Sequence, residues 1–475
     1  MPAAFRRIPS YRSATEMSAA VAAMGAELPV LDPFDPGPLR QPLHLGPLRA
    51  ANRLCVQPME GWDAEPDGRP STATIRRWRR FGASGAGLVW GGEAVAVRTD
   101  GRANPNQLCL RPETAAAIGG LLDELRAAHG ADPVVGLQLT HSGRYSRPRR
   151  KDRPEPRVAY HHPLLDRRVG LGPDDAAAVW TDDELDGLIG DYAAAAALAR
   201  ELGFQFVDLK HCHGYLLHEL LSARGRPGRF GGDFAGRTRF LRQAVAAIRR
   251  EAPGLGVAVR LSAFDALPFR PGADGTGEPE PWSGAYPFAF GASAARPTEP
   301  DLEEPRRLLA LLRDLGVIAC NITGGSPYYN PHIQRPAQYP PSDGYLPPED
   351  PVLGVARHVR VTAELRAAVP GLPLVGSGYS YLQEYLPHVA AATVARGLTD
   401  AVGLGRMILA YPEFVRDALE GRLPDRRRLC RTFSDCTSAP RLGLRSGCYP
   451  LDPDYRASPE GRQIQDWKRA TAGSR

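Results

Sequence analysis

Short apolar runs alternate along the chain with longer stretches whose apolar positions recur at helical spacing. Eight runs have the length and β-branched character of strands: Arg53–Met59, Gly87–Ala94, Pro133–Thr140, Phe204–Leu209, Gly256–Ser262, Val317–Thr323, Leu372–Gly376 and Ala401–Leu404. Eight helical stretches fall among them: Thr72–Phe81, Pro112–His129, Asp182–Leu202, Arg237–Arg250, Asp301–Leu315, Val355–Val369, Leu382–Ala395 and Pro412–Leu419. This alternation predicts an α/β fold, a closed (β/α)8 TIM barrel.

The third helical stretch carries the clearest end signals. Thr181 and Glu184 have the spacing of a capping box, and Gly203 follows the last apolar position of the helix. Such residues satisfy the free backbone groups at the two ends of a helix. The pattern therefore predicts a helix that begins after Thr181 and ends before Gly203.

The remaining segments define the domain organisation. Residues 1–40 are rich in Ala and Pro without clean periodicity and predict an N-terminal extension that lies on the surface or stays mobile. Residues 41–425 form the single catalytic barrel, with Pro- and Gly-rich insertions at 147–178 and 267–300, and 426–475 form a cysteine-containing tail. The second insertion follows strand five on the catalytic face of a barrel, so it is either a substrate lid or a structural insertion.

Composition and charge narrow the class of protein. The seven cysteines are few and scattered, no apolar run is long enough to span a membrane, and the N-terminus lacks the apolar core of a secretory signal. These features predict a cytoplasmic protein with free thiols. The net charge of +6 is spread along the chain without a basic block, which argues against a nucleic-acid partner.

Six motifs lie in order on the predicted strands, and together they resemble the old yellow enzyme family. They are Gln57-Pro-Met59 on strand one, Gln138-Leu-Thr-His-Ser-Gly-Arg144 on strand three, Gly214-Tyr-Leu216 after strand four, Arg260-Leu-Ser262 on strand five, Gly376-Ser-Gly378 on strand seven and Gly405-Arg406 on strand eight. The resemblance covers about residues 43–420. It implies a flavoprotein that binds FMN on the barrel and takes electrons from NADH or NADPH.

The resemblance assigns the FMN site to residues on several strands. It places the phosphate at Gly376, Ser377, Gly378, Gly405 and Arg406, where backbone N–H groups and one cation can meet it. It places Arg260 and Gln138 against the flavin ring. The other cofactor-binding residues it implies are Pro58, Met59, Glu60 and Gly92.

The loop after strand four carries the implied substrate chemistry. In Lys210-His-Cys-His-Gly-Tyr215 the family pattern matches His213 and Tyr215, while Lys210 stands where a His is usual. Tyr215 is the implied proton donor, and Lys210 and His213 would stabilise the developing oxyanion. Only Lys151, Lys210 and Lys468 of the 59 basic residues are lysine, which favours a specific role for Lys210, although it could instead pair with Glu60 or Asp208.

A narrower similarity links the chain to the 2,4-dienoyl-CoA reductase branch of the family. The stretch from Asn321 to Arg335 resembles that branch and makes His332 a candidate second acid, or else a surface-loop histidine. The branch also carries a four-cysteine iron–sulfur site after the barrel, whereas the tail here offers only Cys430, Cys436 and Cys448. We therefore expect no cluster and no metal.

The favoured hypothesis is an NAD(P)H-dependent ene-reductase that passes hydride from FMN N5 to an activated alkene, with Tyr215 as proton donor. Because no dinucleotide-binding G-x-G-x-x-G motif follows the barrel, electrons would come from NAD(P)H at the same flavin face or from a separate reductase. Two alternatives stay open: a dehydrogenase or demethylase of the trimethylamine dehydrogenase type, and a non-catalytic flavin-binding protein. The sequence does not specify the substrate or the oligomeric state, and a homo-oligomer is compatible with it.

Overall fold

A computed structural model describes residues 5–472; residues 1–4 of the predicted extension and 473–475 of the predicted tail lie outside the described residues. Its strands, in chain order, are β1 Leu43–Leu45, β2 Leu48–Ala50, β3 Leu54–Val56, β4 Leu88–Val89, β5 Ala94–Ala96, β6 Val134–Thr140, β7 Phe206–His211, β8 Gly256–Phe264, β9 Phe269–Pro271, β10 Gly277–Pro279, β11 Cys320–Gly324, β12 Leu374–Gly376 and β13 Ala401–Leu404.

The parallel strands close into a barrel. Their order is β4-β3-β13-β12-β11-β8-β7-β6-β5, and β4 also pairs with β6, so the sheet has no open edge there. β4 and β5 are two pieces of one barrel strand, because both pair with β6. The predicted (β/α)8 fold is confirmed, with every predicted strand present.

The helices are α1 Ala14–Ala23, α2 Gly37–Arg40, α3 Thr72–Ala83, α4 Pro112–His129, α5 Asp182–Glu201, α6 Leu216–Leu221, α7 Phe234–Arg237, α8 Arg239–Glu251, α9 Glu303–Asp314, α10 Pro331–Gln334, α11 Pro351–Ala368, α12 Leu386–Ala395, α13 Arg406–Ala410, α14 Phe414–Leu419, α15 Asp435–Arg441, α16 Pro453–Ala457 and α17 Pro459–Ala472. All eight predicted helices are among them. The capping box of α5 is formed, with the Thr181 Oγ1 accepting from the Glu184 N–H at 3.2 Å.

The N-terminal segment corrects the sequence expectation of a surface or mobile extension. In its described part, Met17, Val21 and Leu39 are fully buried and belong to the main hydrophobic core. The three side chains lie on α1 and α2, whose short apolar stripes were too brief to stand out in the sequence. This segment is therefore an integral part of the barrel's outer layer.

The two insertions pack against each other. Arg167 and Arg168 of the first insertion both pair with Glu280 of the second, at 2.8 and 2.6 Å. His162 and Tyr286 join the same contact through a 2.8 Å hydrogen bond. The insertions thus form one structural unit above the barrel.

The C-terminal segment returns to the barrel. Arg76 of α3 makes two 2.8 Å hydrogen bonds to the Asp452 carboxylate. The Ser446 N–H donates to the Gly61 carbonyl oxygen at 2.7 Å. The tail is thereby fastened next to the loop that follows β3. No helix in the described range 5–472 is long and apolar enough to cross a membrane.

Candidate active site

A cavity of about 250 Å³ opens at the carboxyl end of the barrel strands. Barrel enzymes place their chemistry at this end because the loops there converge. Twelve of the residues predicted from sequence line the cavity: Pro58, Met59, Glu60, Gln138, Lys210, His213, Tyr215, Arg260, Ser377, Gly378, Gly405 and Arg406. The structure therefore brings together residues from six separate motifs.

One end of the cavity is strongly basic. Arg406 donates to the Pro336 carbonyl oxygen at 2.9 Å through one nitrogen, but its Nη1 is buried without a partner. The neighbouring Arg335 contacts Thr437 through Nη1, while its Nε and Nη2 are buried and unpartnered. Burial and the proximity of Arg406 lower the pKa of Arg335 to about 9. Two adjacent cations with free N–H groups are suited to an anion such as a phosphate.

The loops beside these arginines also suit a phosphate. Ser377 and Gly378 follow β12, and Gly405 follows β13. Gly378 has a φ of 95°, and a Cβ there would lie 3.0 Å from the His358 ring, so a side chain would not fit. The backbone can therefore approach a ligand closely at this turn.

Arg335 was not predicted from sequence as a site residue. It ends the Asn321–Arg335 stretch that resembles the 2,4-dienoyl-CoA reductase branch, in which the resemblance makes His332 the candidate acid. His332 lies within the short helix α10, and Arg335 directly follows that helix. Arg335 lines the cavity, whereas His332 does not.

His332 lies outside the cavity lining. Its Nδ1 lies 2.7 Å from the Tyr345 Oη, in a small neighbouring cavity. Burial lowers the pKa of His332 to about 3, so the ring is neutral at physiological pH. The role of His332 as a second acid therefore stays a prediction.

Gly92 and Gly376 also lie outside the cavity lining among the described residues. A Cβ on Gly92 would lie 2.4 Å from the Trp78 ring, and the Gly92 carbonyl oxygen accepts from the Met59 N–H at 2.8 Å. A Cβ on Gly376 would lie 3.1 Å from the Tyr379 hydroxyl. Both glycines permit close packing behind the site rather than contact with a ligand.

The middle of the cavity carries Arg260 and Gln138. No carboxylate within residues 5–472 lies at ion-pair distance from Arg260, and its Nε is buried without a partner. Asp208 lies beneath them and accepts from the Gln138 Nε2 at 2.6 Å and from the Arg260 backbone N–H at 2.6 Å. Because Asp208 takes the donor end of the Gln138 amide, the carbonyl oxygen of that amide is free for a ligand. Burial raises the pKa of Asp208 to about 6.

The opposite end of the cavity holds the predicted substrate residues. The Lys210 Nζ lies 2.7 Å from the Glu60 Oε1, so the pairing that the sequence left open is formed, yet Lys210 also lines the cavity. The Tyr215 hydroxyl lies 3.4 Å from the Glu60 Oε2 and 3.0 Å from the Tyr328 hydroxyl. Tyr328, which sequence reasoning missed, stacks on Tyr145 with ring centroids 3.8 Å apart.

Burial determines the protonation states of Tyr215 and His213 at the substrate end of the cavity. Burial, followed by the charge of Glu60, raises the pKa of Tyr215 well above its usual value, so the phenol keeps its proton at neutral pH. Burial and then the charges of Arg260 and Lys210 lower the pKa of His213 well below its usual value. A neutral His213 can donate a hydrogen bond to a substrate oxygen, and a protonated Tyr215 can donate a hydrogen bond to an oxygen or transfer its proton to a carbon.

The tail completes the cavity wall, with Cys436, Thr437, Pro440, Arg441 and Ser446 among the lining residues. The predicted lid does not contribute, because no residue of 267–300 lines this cavity. That insertion instead borders a second cavity of about 490 Å³, which shares Pro327 and Tyr328 with the first.

Three of the seven cysteines lie in the tail, beside the cavity wall. They are Cys430, Cys436 and Cys448, all free thiols, and the expectation that they hold no cluster stays a prediction. Between residues 5 and 472, no three His, Cys, Asp or Glu side chains are grouped to hold a metal ion.

Comparisons with known proteins agree with this geometry. Residues 38–277 match the NADH:flavin oxidoreductase / NADH oxidase family. The chain is 24% identical to an NADH oxidase of Thermoanaerobacter brockii, over 81% of this chain and 51% of that protein. It is 30% identical to an NADPH dehydrogenase of Listeria monocytogenes, over 45% of this chain and 60% of that protein. The chain therefore spans about half to three fifths of the length of these curated relatives.

Two solved structures share the fold. A 2-naphthoyl-CoA reductase superposes with a TM-score of 0.67 at 17% identity, covering 89% of this chain and 58% of that one. An old yellow enzyme homologue from Zymomonas mobilis superposes with a TM-score of 0.56 at 20% identity, covering 82% of this chain and 94% of that one.

Proposed function

The chain belongs to the NADH:flavin oxidoreductase / NADH oxidase family, the old yellow enzymes, and from this premise we propose that it is an FMN-dependent, NAD(P)H-oxidising ene-reductase. The observation that carries the proposal is the set of buried, unpartnered guanidinium N–H groups of Arg335, Arg406 and Arg260 in one cavity. Buried polar groups in native proteins normally have partners, so these groups call for an anionic, polar ligand.

FMN fits the arrangement at both of its polar ends. Arg335, Arg406 and the backbone at Gly378 would hold the phosphate, and the choice of FMN over an uncharged flavin rests on these two cations. Arg260 and the Gln138 carbonyl oxygen would hold the ring system. Bound FMN would supply hydride transfer at its N5 atom.

The residues of the chain provide the rest of the chemistry. His213 would donate a hydrogen bond to the substrate carbonyl oxygen, which gains negative charge when hydride adds to the β-carbon, and Tyr215 would deliver a proton to the α-carbon. The phenol is suited to this step because it is protonated at neutral pH and lies in the cavity. Glu60 and Tyr328 position the Tyr215 hydroxyl.

The domain boundaries and the lack of a cluster belong to the same proposal. The catalytic unit would be the barrel of residues 41–425 together with the tail, without an iron–sulfur centre. NAD(P)H would then reduce the flavin in the same cavity, or a separate reductase would do so.

Anaerobic absorption spectroscopy of the purified protein tests the proposal. Flavin bands that bleach on addition of NADPH or NADH, and return on addition of an activated alkene, are the expected result. A protein that contains no flavin and binds none when FMN is added would contradict it.

A further inference from the structure

The cavity contains one carboxylate among many cations. Of the described residues that line it, five are basic: Lys210, Arg260, Arg335, Arg406 and Arg441. Glu60 is the only acidic one among them. A ligand that enters the cavity therefore meets one negative side chain. Whether Glu60 is already paired with a cation of the protein decides how well the cavity can bind a cationic ligand.

Glu60 is already engaged by three groups of the protein. The Lys210 Nζ lies 2.7 Å from one carboxylate oxygen, and the Trp62 Nε1 donates to the other at 2.6 Å. The Tyr215 hydroxyl lies 3.4 Å from the second oxygen. A further cation would compete with the Lys210 ammonium, which already pairs with Glu60 over the face of the Tyr215 ring.

Lys210 lies where an alkylammonium ligand would bind. Its Nζ is 4.0 Å from the centroid of the Tyr215 ring, on the face of that ring, while it pairs with Glu60. A carboxylate and an aromatic face around one position form a favourable site for an ammonium ion. Lys210 is 5% exposed at its side chain, so this ammonium is enclosed rather than solvated.

We propose that Lys210 is a resident cation that fills an ammonium site made by Glu60 and Tyr215, so that the cavity excludes amines and selects neutral or anionic substrates. This inference rests on the proposed function for the position of the substrate, and it extends that function to a substrate class. It assigns Lys210 a role in specificity, and it separates this chain from a dehydrogenase that would act on amines.

The other cations strengthen the selection. Arg335 and Arg406 face the phosphate end, which leaves Arg260, Arg441 and Lys210 around the remaining space. Arg441 also pairs with Asp343, and Arg260 has no carboxylate partner in the described part of the chain. An incoming amine would have to displace Lys210 toward like charges, whereas a carboxylate or an enolate oxygen would meet opposite charge.

Lys210→Ala with propylammonium as the probe tests the site directly. This substitution removes three methylene groups and the ammonium, which together correspond to propylammonium. Propylammonium should bind the holoprotein variant at least about ten-fold more tightly than the wild type, as measured by calorimetry and by its shift of the thermal midpoint. Sodium chloride at equal concentration controls for ionic strength.

Two variants sharpen the result. The double variant Glu60→Gln, Lys210→Ala should lose the gained affinity, because the carboxylate half of the site is gone. Lys151→Ala is the lysine control, since the exposed Lys151 Nζ donates to the Gly443 carbonyl oxygen at 3.0 Å outside the cavity, and its loss should create no propylammonium site. Equal propylammonium affinity in the wild type and in folded Lys210→Ala, or binding to neither, would overturn the proposal.

A second test uses only the wild-type protein and therefore does not require any variant to fold. Benzoate and benzylammonium have the same ring and opposite charge, and benzoate should bind the wild type at least about ten-fold more tightly. Equal or tighter binding of benzylammonium would overturn the proposal. These binding measurements are distinct from flavin bleaching by NAD(P)H, whose failure would count against the proposed function alone.

Discussion

Tyr215 is buried beside a carboxylate, and its hydroxyl contacts Glu60 and Tyr328 at the substrate end of the cavity. If it delivers the proton, Tyr215→Phe should slow reoxidation of reduced flavin by an activated alkene by about 10²-fold or more, and leave flavin reduction by NAD(P)H within about three-fold. Stopped-flow absorption measures the two half-reactions separately. Tyr145→Phe is the control, because Tyr145 lies nearby with a hydroxyl that has no partner. Equal losses in both half-reactions would remove Tyr215 from the proposed role.

Arg335 presents two free N–H groups to the basic end of the cavity. Arg335→Met should weaken FMN binding by about ten-fold to a hundred-fold and change riboflavin binding little, because only FMN carries the phosphate. Flavin fluorescence titration gives both affinities. Arg357→Met is the matched control, since both Arg357 Nη atoms are paired with Glu349. A parallel loss of FMN and riboflavin affinity would place Arg335 elsewhere than at the phosphate.

The buried carboxyl group of Asp208 makes the free energy of unfolding depend on pH. Burial raises the pKa of Asp208 to about 6, so the folded state favours the protonated acid. The buried charge therefore lowers the free energy of unfolding at pH values above about 6. This loss of stability disappears as the pH falls toward the ordinary pKa of aspartate. Asp208→Asn should therefore gain stability relative to the wild type at about pH 8 and lose this advantage at about pH 4.5. Chemical denaturation at the two pH values measures the difference. A stability difference that does not vary with pH would show that Asp208 does not titrate in this range.

At the scale of elements, a buried ionic network fixes α3 to the loop after β3 and to the residue directly before β5. The Arg77 Nη2 lies 2.6 Å from the Asp63 Oδ1 and 2.7 Å from the Glu93 Oε1, with all three side chains buried. Arg77→Met leaves two buried carboxylates without their cation and should cost about 3–5 kcal/mol of unfolding free energy. Arg79→Met, which breaks the exposed pair with Glu124, should cost about 0–1 kcal/mol. Urea denaturation compares them, and similar losses would contradict this account of the network.

The sequence predicts helices that have local end signals, but it does not predict how the N-terminal segment and the insertions pack. The helix at Pro112–His129 was predicted with its bounds because Pro112 and the periodic apolar positions define it locally. The predicted lid and the N-terminal extension were judged by composition, which does not report how a segment packs. Their positions depend on distant contacts such as that of Arg168 with Glu280.

At the scale of the whole molecule, the barrel is predictable because each strand and helix repeats one local pattern. Site residues carried by strand ends, such as Gln138 and Arg260, follow from that pattern together with the family motifs. Arg335 and Tyr328 do not, because they reach the cavity through irregular loops whose course is set by tertiary packing. The tail residues Thr437 and Arg441 lie on α15 and were missed because only tertiary packing brings that helix to the cavity.

The order in which the chain is made bears on when this cavity can exist. The first barrel strand, β3, pairs with the last, β13, and the Ser446 N–H meets the Gly61 carbonyl oxygen. During translation, an N-terminal barrel half would therefore wait with exposed strand edges until residues near 404 and then 446 leave the ribosome. The flavin would then bind late in biogenesis, after the barrel has closed. Chaperones that shield unpaired strands would be needed until that closure.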